Sequence, residues 1–232
     1  MKTKKSKITE CALCAALLVI VAIVALYPQS SAAANVPPAE ICDIASYPEA
    51  EMILELANAE ILPVYEKNGE YYFLPDEYVT REYVACAIGK LACGDVEKYS
   101  PYKLGTFDES EISPDFLPYV KAAAFDGYIS VYSSIFDGTE ILTFNPKEEM
   151  TREQIAGVLS VFADFPVSSS KPAQYADAQS VSDEYKDDIE KLVGLGIMSG
   201  KTDALLCPKE PMTKAEFAAL LYRLIKAEYA GK

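Results

Sequence analysis

Apolar residues recur at helical spacing in three matched pairs of segments. Val84, Ala87, Ile88 and Leu91 fall at i, i+3, i+4 and i+7, as do Ile155, Val158, Leu159 and Phe162, and again Phe217, Leu220, Leu221 and Leu224. Each set makes one apolar stripe along an amphipathic helix. A shorter stripe precedes each: Ile53, Leu56 and Ala57; Phe116, Val120, Ala123 and Ala124; Tyr185, Ile189, Leu192 and Val193. Gly127 and Gly196 follow the second and third short stripes where a C′ glycine belongs, and Glu60 holds that place in the first. The pattern predicts alternating short and long helices joined by loops, with a longer loop from Tyr132 to Leu142.

The chain repeats itself. Phe73-Leu74-Pro75, Phe144-Asn145-Pro146 and Leu206-Cys207-Pro208 each place a proline five residues before a threonine, and Thr80, Thr151 and Thr213 are each followed by a basic residue. An aspartate opens each unit: Asp43, Asp108 and Asp177. Two-helix units of this size are marginal alone. Three can share one core, most simply with the longer helices at the centre.

Part of the motif is helix capping. Thr151-Arg152-Glu153-Gln154 and Thr213-Lys214-Ala215-Glu216 fit a capping box, while Thr80-Arg81-Glu82-Tyr83 keeps the cap and loses the return bond. Capping leaves the basic residue unexplained, because a cation in the first turn opposes the helix dipole. Arg81, Arg152 and Lys214 beside helix N-terminal amides suit a carboxylate or phosphate. A salt bridge to Asp43, Asp108 or Asp177 is the equal alternative, and the two can coexist if the aspartate orients the basic group.

Lys2, Lys4, Lys5 and Lys7 precede an apolar run from Ala12 to Leu26, and small residues follow up to Ala34. This predicts a signal peptide over 1–34, since the run falls short of the roughly 20 residues that span a bilayer. Its removal takes four lysines and one glutamate from the 21 basic and 35 acidic residues, leaving 17 against 34 and a net charge near −17. Such a chain repels nucleic acid and anionic membranes. An anionic partner has to be held by a local site against that field.

Beyond residue 34 lie Cys42, Cys86, Cys93 and Cys207, with no C-x-x-C, and the chain has no histidine. A tetrahedral zinc site is not expected, nor is a cofactor. Export permits disulfides, but Cys86 and Cys93, two turns apart on one helix, are too distant to pair with each other. Histidine-based triads are excluded, and neither G-x-S-x-G nor G-x-x-x-x-G-K-[ST] occurs. Nothing points to an enzyme.

The units resemble S-layer homology (SLH) repeats, whose pattern is an F-x-D start, G-[IY] after the first helix, F-x-P, and T-R-A-E opening a long helix. The third unit carries Tyr175-Ala176-Asp177, Gly196-Ile197, Cys207-Pro208 and Thr213-Lys214-Ala215-Glu216, and fits best. The second has Asp108, Gly127-Tyr128, Phe144-Asn145-Pro146 and Thr151-Arg152-Glu153-Gln154. The first departs most, with Ile41 for the aromatic and Glu60 for the glycine.

The resemblance implies an all-α fold: units at 38–95, 103–165 and 172–228 in a pseudo-threefold arrangement around a central three-helix bundle. It implies a secreted protein held non-covalently at the cell wall, in the S-layer. Its partner would be a secondary cell-wall polysaccharide, bound through a pyruvylated sugar in grooves between repeats, with other surface-layer proteins as further partners. By the same resemblance Arg81, Arg152 and Lys214 meet the pyruvate carboxylate, and Asp43, Asp108 and Asp177 contact sugar hydroxyls or orient the basic residue. The alternative is a surface scaffold or protein-interaction module whose repeats have lost sugar binding.

Overall fold

The computed structural model describes residues 41–105, 109–137, 139–163 and 175–230. The signal peptide predicted over 1–34 and Asp108 lie outside them. The helical stripes form α1 (Ala50–Asn58), α2 (Arg81–Ala92), α3 (Leu117–Phe125), α4 (Arg152–Leu159), α5 (Lys186–Gly194) and α6 (Lys214–Ala230). The long-helix stripe residues named above are all buried. Helix α4 stops after eight residues and continues as a 3-10 turn through Phe162.

The all-α expectation is overturned. Two antiparallel hairpins are present, β1 (Tyr65–Lys67) with β2 (Glu70–Tyr72), and β3 (Tyr132–Phe136) with β4 (Thr139–Thr143). Their registers pair Tyr65 with Tyr72 and Tyr132 with Thr143. The reason is turn chemistry. Asn68 and Gly69 both take positive φ (57° and 81°), as a two-residue turn matched to strand twist requires. Asp137, followed by Gly138 in the sequence, likewise has a φ of 48°. The stretch from Tyr132 to Leu142 is therefore a hairpin and not an irregular loop. The third unit has a short turn at the corresponding place, where Thr202 Oγ1 accepts from the amides of Ala204 and Leu205.

The central three-helix bundle is replaced by a different junction. The Val79 amide donates to the Met212 carbonyl (2.9 Å), Met212 to Met150 (3.2 Å), and Met150 back to Val79 (3.0 Å), closing a ring of three backbone bonds. All three residues are buried. Bridges pairing Tyr78 with Thr213, Thr80 with Glu149 and Thr151 with Pro211 flank the ring. The extensive helix pairings run around it in the same sense: α2 on α3, α4 on α5, and α6 on α1. Each long helix thus lies against a short helix of another unit. The long helices approach near their N-termini, where the rings of Tyr83 and Phe217 meet edge-on at 6.2 Å.

The α2–α3 pairing is close because of Gly89. A Cβ there would lie 2.3 Å from the Tyr119 carbonyl oxygen, a backbone atom that cannot swing aside. All three short helices end alike. Glu60, Gly127 and Gly196 take φ of 58°, 79° and 70°, and each following amide reaches back into the last turn. The missing glycine in the first unit does not alter the stop; Glu60 adopts the strained conformation instead.

Two stability predictions follow from this packing. Gly89→Ala lowers unfolding free energy in urea by about 1–3 kcal/mol, the usual cost of overpacking. Glu60→Gly raises it by about 0.5–1 kcal/mol, because left-handed strain of roughly 1–2 kcal/mol exceeds the entropy cost of glycine; an unchanged or lower urea midpoint would contradict this.

Candidate functional site

The free helix amides expected beside the basic residues are not free. In α2 the Arg81 amide donates to the Glu148 carbonyl and the Glu82 amide to Pro146. In α4 Arg152 donates to Glu210 and Glu153 to Pro208; in α6 Lys214 donates to Glu77 and Ala215 to Pro75. The next amide in each helix is capped by its own threonine: Tyr83 by Thr80, Gln154 by Thr151, Glu216 by Thr213. The Thr151 and Thr213 amides donate the return bond of the capping box, to the side-chain oxygens of Gln154 and Glu216. Carbonyls of another unit occupy the place an anion would take at a helix start.

The basic side chains run across the same junctions. Arg81, Arg152 and Lys214 are 3%, 4% and 3% exposed. Arg81 Nε donates to the Phe144 carbonyl (2.8 Å), Nη2 to Ser130 (2.6 Å) and Nη1 to the Tyr132 hydroxyl (3.0 Å), with the Tyr132 ring 4.2 Å from the guanidinium carbon. Arg152 repeats two of these bonds, Nε to Leu206 (2.9 Å) and Nη2 to Ser199 (2.5 Å). Lys214 has no fork. Its Nζ pairs with Glu77 Oε2 at 2.7 Å and lies under the Tyr65 ring at 4.5 Å. Burial pulls both guanidinium groups below their ordinary value, yet an arginine stays charged. Burial also pushes the Tyr65 phenol up to about 12, so it stays protonated over Lys214.

Of the three aspartates, Asp43 and Asp177 fall among the described residues, and neither meets a basic residue there by hydrogen bond or ion pair. Asp43 accepts from the amides of Phe73 (2.9 Å) and Leu74 (2.8 Å). Asp177 accepts from Leu206 and Cys207, both at 2.8 Å. Each carboxylate grips the Phe/Leu-x-Pro segment of its own unit, whose middle residue has positive φ: 62° at Leu74 and 55° at Cys207. The Leu206 amide leads the causes that hold the Asp177 carboxyl below its usual range.

A second clamp was not foreseen. Buried Glu82 accepts from the Ser113 amide (3.0 Å) and hydroxyl (2.9 Å) and pairs with Lys147 (2.5 Å). Buried Glu153 does the same with the Ser182 amide, the Ser182 hydroxyl and Lys209 (2.6 Å). Burial alone would raise the Glu153 carboxyl; the Lys209 and Ser182 bonds outweigh it and hold it low. A signal existed within the chain. Where glutamate sits two places after the threonine, lysine follows the proline of the next unit; the third unit has Ala215, and the first has Asp76 after Pro75.

Cys86 and Cys93 are buried thiols, both pushed up to about 12 by burial. Among the described residues no group of three or more cysteine, aspartate or glutamate side chains is placed to hold a metal ion. No described helix is long and apolar enough to cross a membrane.

Asp177→Ala removes two charge-assisted bonds and lowers stability by about 2 kcal/mol at neutral pH. The folded-state pKa lies below the unfolded value, so this contribution is present above about pH 3.9 and is lost as pH falls through the folded pKa. Urea unfolding of both proteins against pH is expected to converge in acid; a constant gap would refute the assignment.

The comparison with curated proteins returns no match. The comparison with protein families does. The matched segment, residues 174–218, runs from Tyr175 and Asp177 through Gly196 and Leu206-Cys207-Pro208 to the start of α6, the unit whose motifs fit most fully. That segment is similar to the S-layer homology domain, a domain generally involved in cell-wall anchoring.

Proposed function

We propose that the protein is exported and attached non-covalently to the cell wall by an anionic secondary cell-wall polymer, bound in grooves between three successive S-layer homology units. The observation that carries this reading is Arg152. It belongs to the second unit and lies against the matched domain, bonding the Ser199 and Leu206 carbonyls. The three-unit reading is supported by the cyclic bonding, in which the motif of each unit meets the Phe/Leu-x-Pro segment of another. A planar guanidinium suits a carboxylate, including that of a pyruvylated sugar, better than an ammonium does. The acidic surface opposes such a polymer at long range, and at physiological ionic strength it is screened beyond about 8 Å. A scaffold without sugar binding has one observation in its favour: Lys214 is already neutralised by Glu77.

Purified Gram-positive walls before and after acid extraction of the polymer test the proposal. The protein is expected to pellet with intact walls and stay in solution with extracted ones. Arg81→Ala with Arg152→Ala, checked for folding by circular dichroism, is expected to abolish pelleting. Binding that survives extraction, or survives loss of both arginines, overturns it.

A further inference from the structure

We propose that the outer edge of β3 is an association surface whose occupant is β3 of a second copy of this chain, paired antiparallel about a twofold axis at Ser134. A two-stranded hairpin leaves unpaired N–H and C=O groups along its outer edges, and an uncharged edge is a template for another strand. Where a two-residue turn closes a hairpin, the residues flanking the turn exchange both bonds, and every second residue after them turns its amide and carbonyl outward. Two observed bonds obey that alternation. Tyr71 of β2 turns outward, and its carbonyl accepts from the Cys42 amide at 2.9 Å. Phe144, next after β4, also turns outward, and its carbonyl accepts from Arg81 Nε at 2.8 Å.

The edges are not protected alike. The edge of β2 is covered by the bridge from Ile41 to Tyr71, and β1 turns Glu66 outward. The edge of β4 carries Glu140 and runs down to Arg81. The edge of β3 presents Ser133 and Ile135. No backbone group of Tyr132–Phe136 bonds outside the hairpin among the described residues, and Ile135 is 80% exposed. Tyr-Ser-Ser-Ile-Phe has no charge and no proline, the usual guards of a free edge, on a chain of net charge −14.

Charge and symmetry select a second copy as the occupant. Two copies of so acidic a chain repel over most of their surfaces, but here neither contacting strand brings a carboxylate. An antiparallel pair about a twofold axis needs only one surface, which complements itself. Centred on Ser134, the pairing lets Ser133 and Ile135 of one copy exchange backbone bonds with Ile135 and Ser133 of the other. The two Ser134 residues then face each other without such bonds, with Cα atoms about 4.5 Å apart. This register sets Asp137 opposite the second copy's Val131, and it leaves each Glu140 on the far strand of its own hairpin. One pair of five-residue strands buries less than the roughly 1,200–2,000 Å² of a stable interface, so the dimer is weak and forms as concentration rises.

Sedimentation velocity and amide hydrogen exchange over a concentration series test this without reference to wall binding. In dilute protein the Ser134 amide, bonded across to Ile141, is expected to exchange slowly and those of Ser133 and Ile135 fast. As the dimer fills, the Ser133 and Ile135 amides are expected to become protected. Ser134→Lys and Ser134→Glu each place like charges opposite one another and are expected to weaken the dimer by about fivefold. Mixing the two variants sets opposite charges across the axis and is expected to restore it. Thr139→Lys, which alters charge on the other strand, is expected to leave it unchanged. Ser134 and Thr139 are exposed, and unchanged thermal midpoints show that the variants fold. A protein that stays monomeric at the highest concentration reached, a dimer whose Ser133 and Ile135 amides stay unprotected, or a variant mixture no tighter than its components overturns the pairing. Protection of these amides only on adding a different protein assigns the edge to that partner and overturns the second copy.

Discussion

Three buried backbone bonds, from Val79 to Met212 to Met150 and back, hold the centre of this molecule. Each of these residues immediately precedes the threonine that starts a long helix, so the ring brings three helix N-termini together. A helix start carries amides with no partner inside its own helix, and burying them unpaired costs about as much as lost hydrogen bonds. The protein meets that demand by exchange. The start of each long helix receives two carbonyls from the proline-containing loop of another unit, and the exchange closes on itself. No unit can satisfy its own amides alone, which ties the core to the presence of all three.

The same exchange accounts for a cation placed against the helix dipole. The first-turn arginine carries its charge away from its own helix, into carbonyls at the end of the neighbouring short-helix turn and before the neighbouring proline. Bonds from a charged donor contribute about 1.5–3 kcal/mol each, more than the few tenths to 1 kcal/mol an unfavourable dipole costs. The arginine is therefore a strut first. Any ligand role rests on donors left over after the strut is made, and these differ among the three junctions.

The junctions have diverged in a correlated way. Two use a glutamate–serine–lysine clamp beside the arginine strut, Glu82 with Ser113 and Lys147, and Glu153 with Ser182 and Lys209. The third has lost the glutamate to Ala215 and the loop lysine to Asp76, and it holds through Lys214 with Glu77 and through Glu55 with Tyr222 and Lys226. Losing one member of the clamp alone would leave a buried carboxylate unpaired, which is expensive; losing both members is tolerable.

The amino-acid sequence by itself determined the six helices, with the threonine caps and buried stripes of the three long ones, because periodicity and capping act over a few residues. It also held the hairpins, in Asn68-Gly69 and Asp137-Gly138, although their short strands leave little alternation to read against helical neighbours. What only the tertiary structure decided is where the conspicuous polar side chains go. Asp43 and Asp177, for which a salt bridge to the basic residues is one of two readings the sequence allows, turn to backbone amides of their own unit, and the arginines turn to carbonyls 47 to 63 residues away in the chain. A donor's destination depends on which acceptors folding leaves unpaired beside it, and that is set by the closure of the ring.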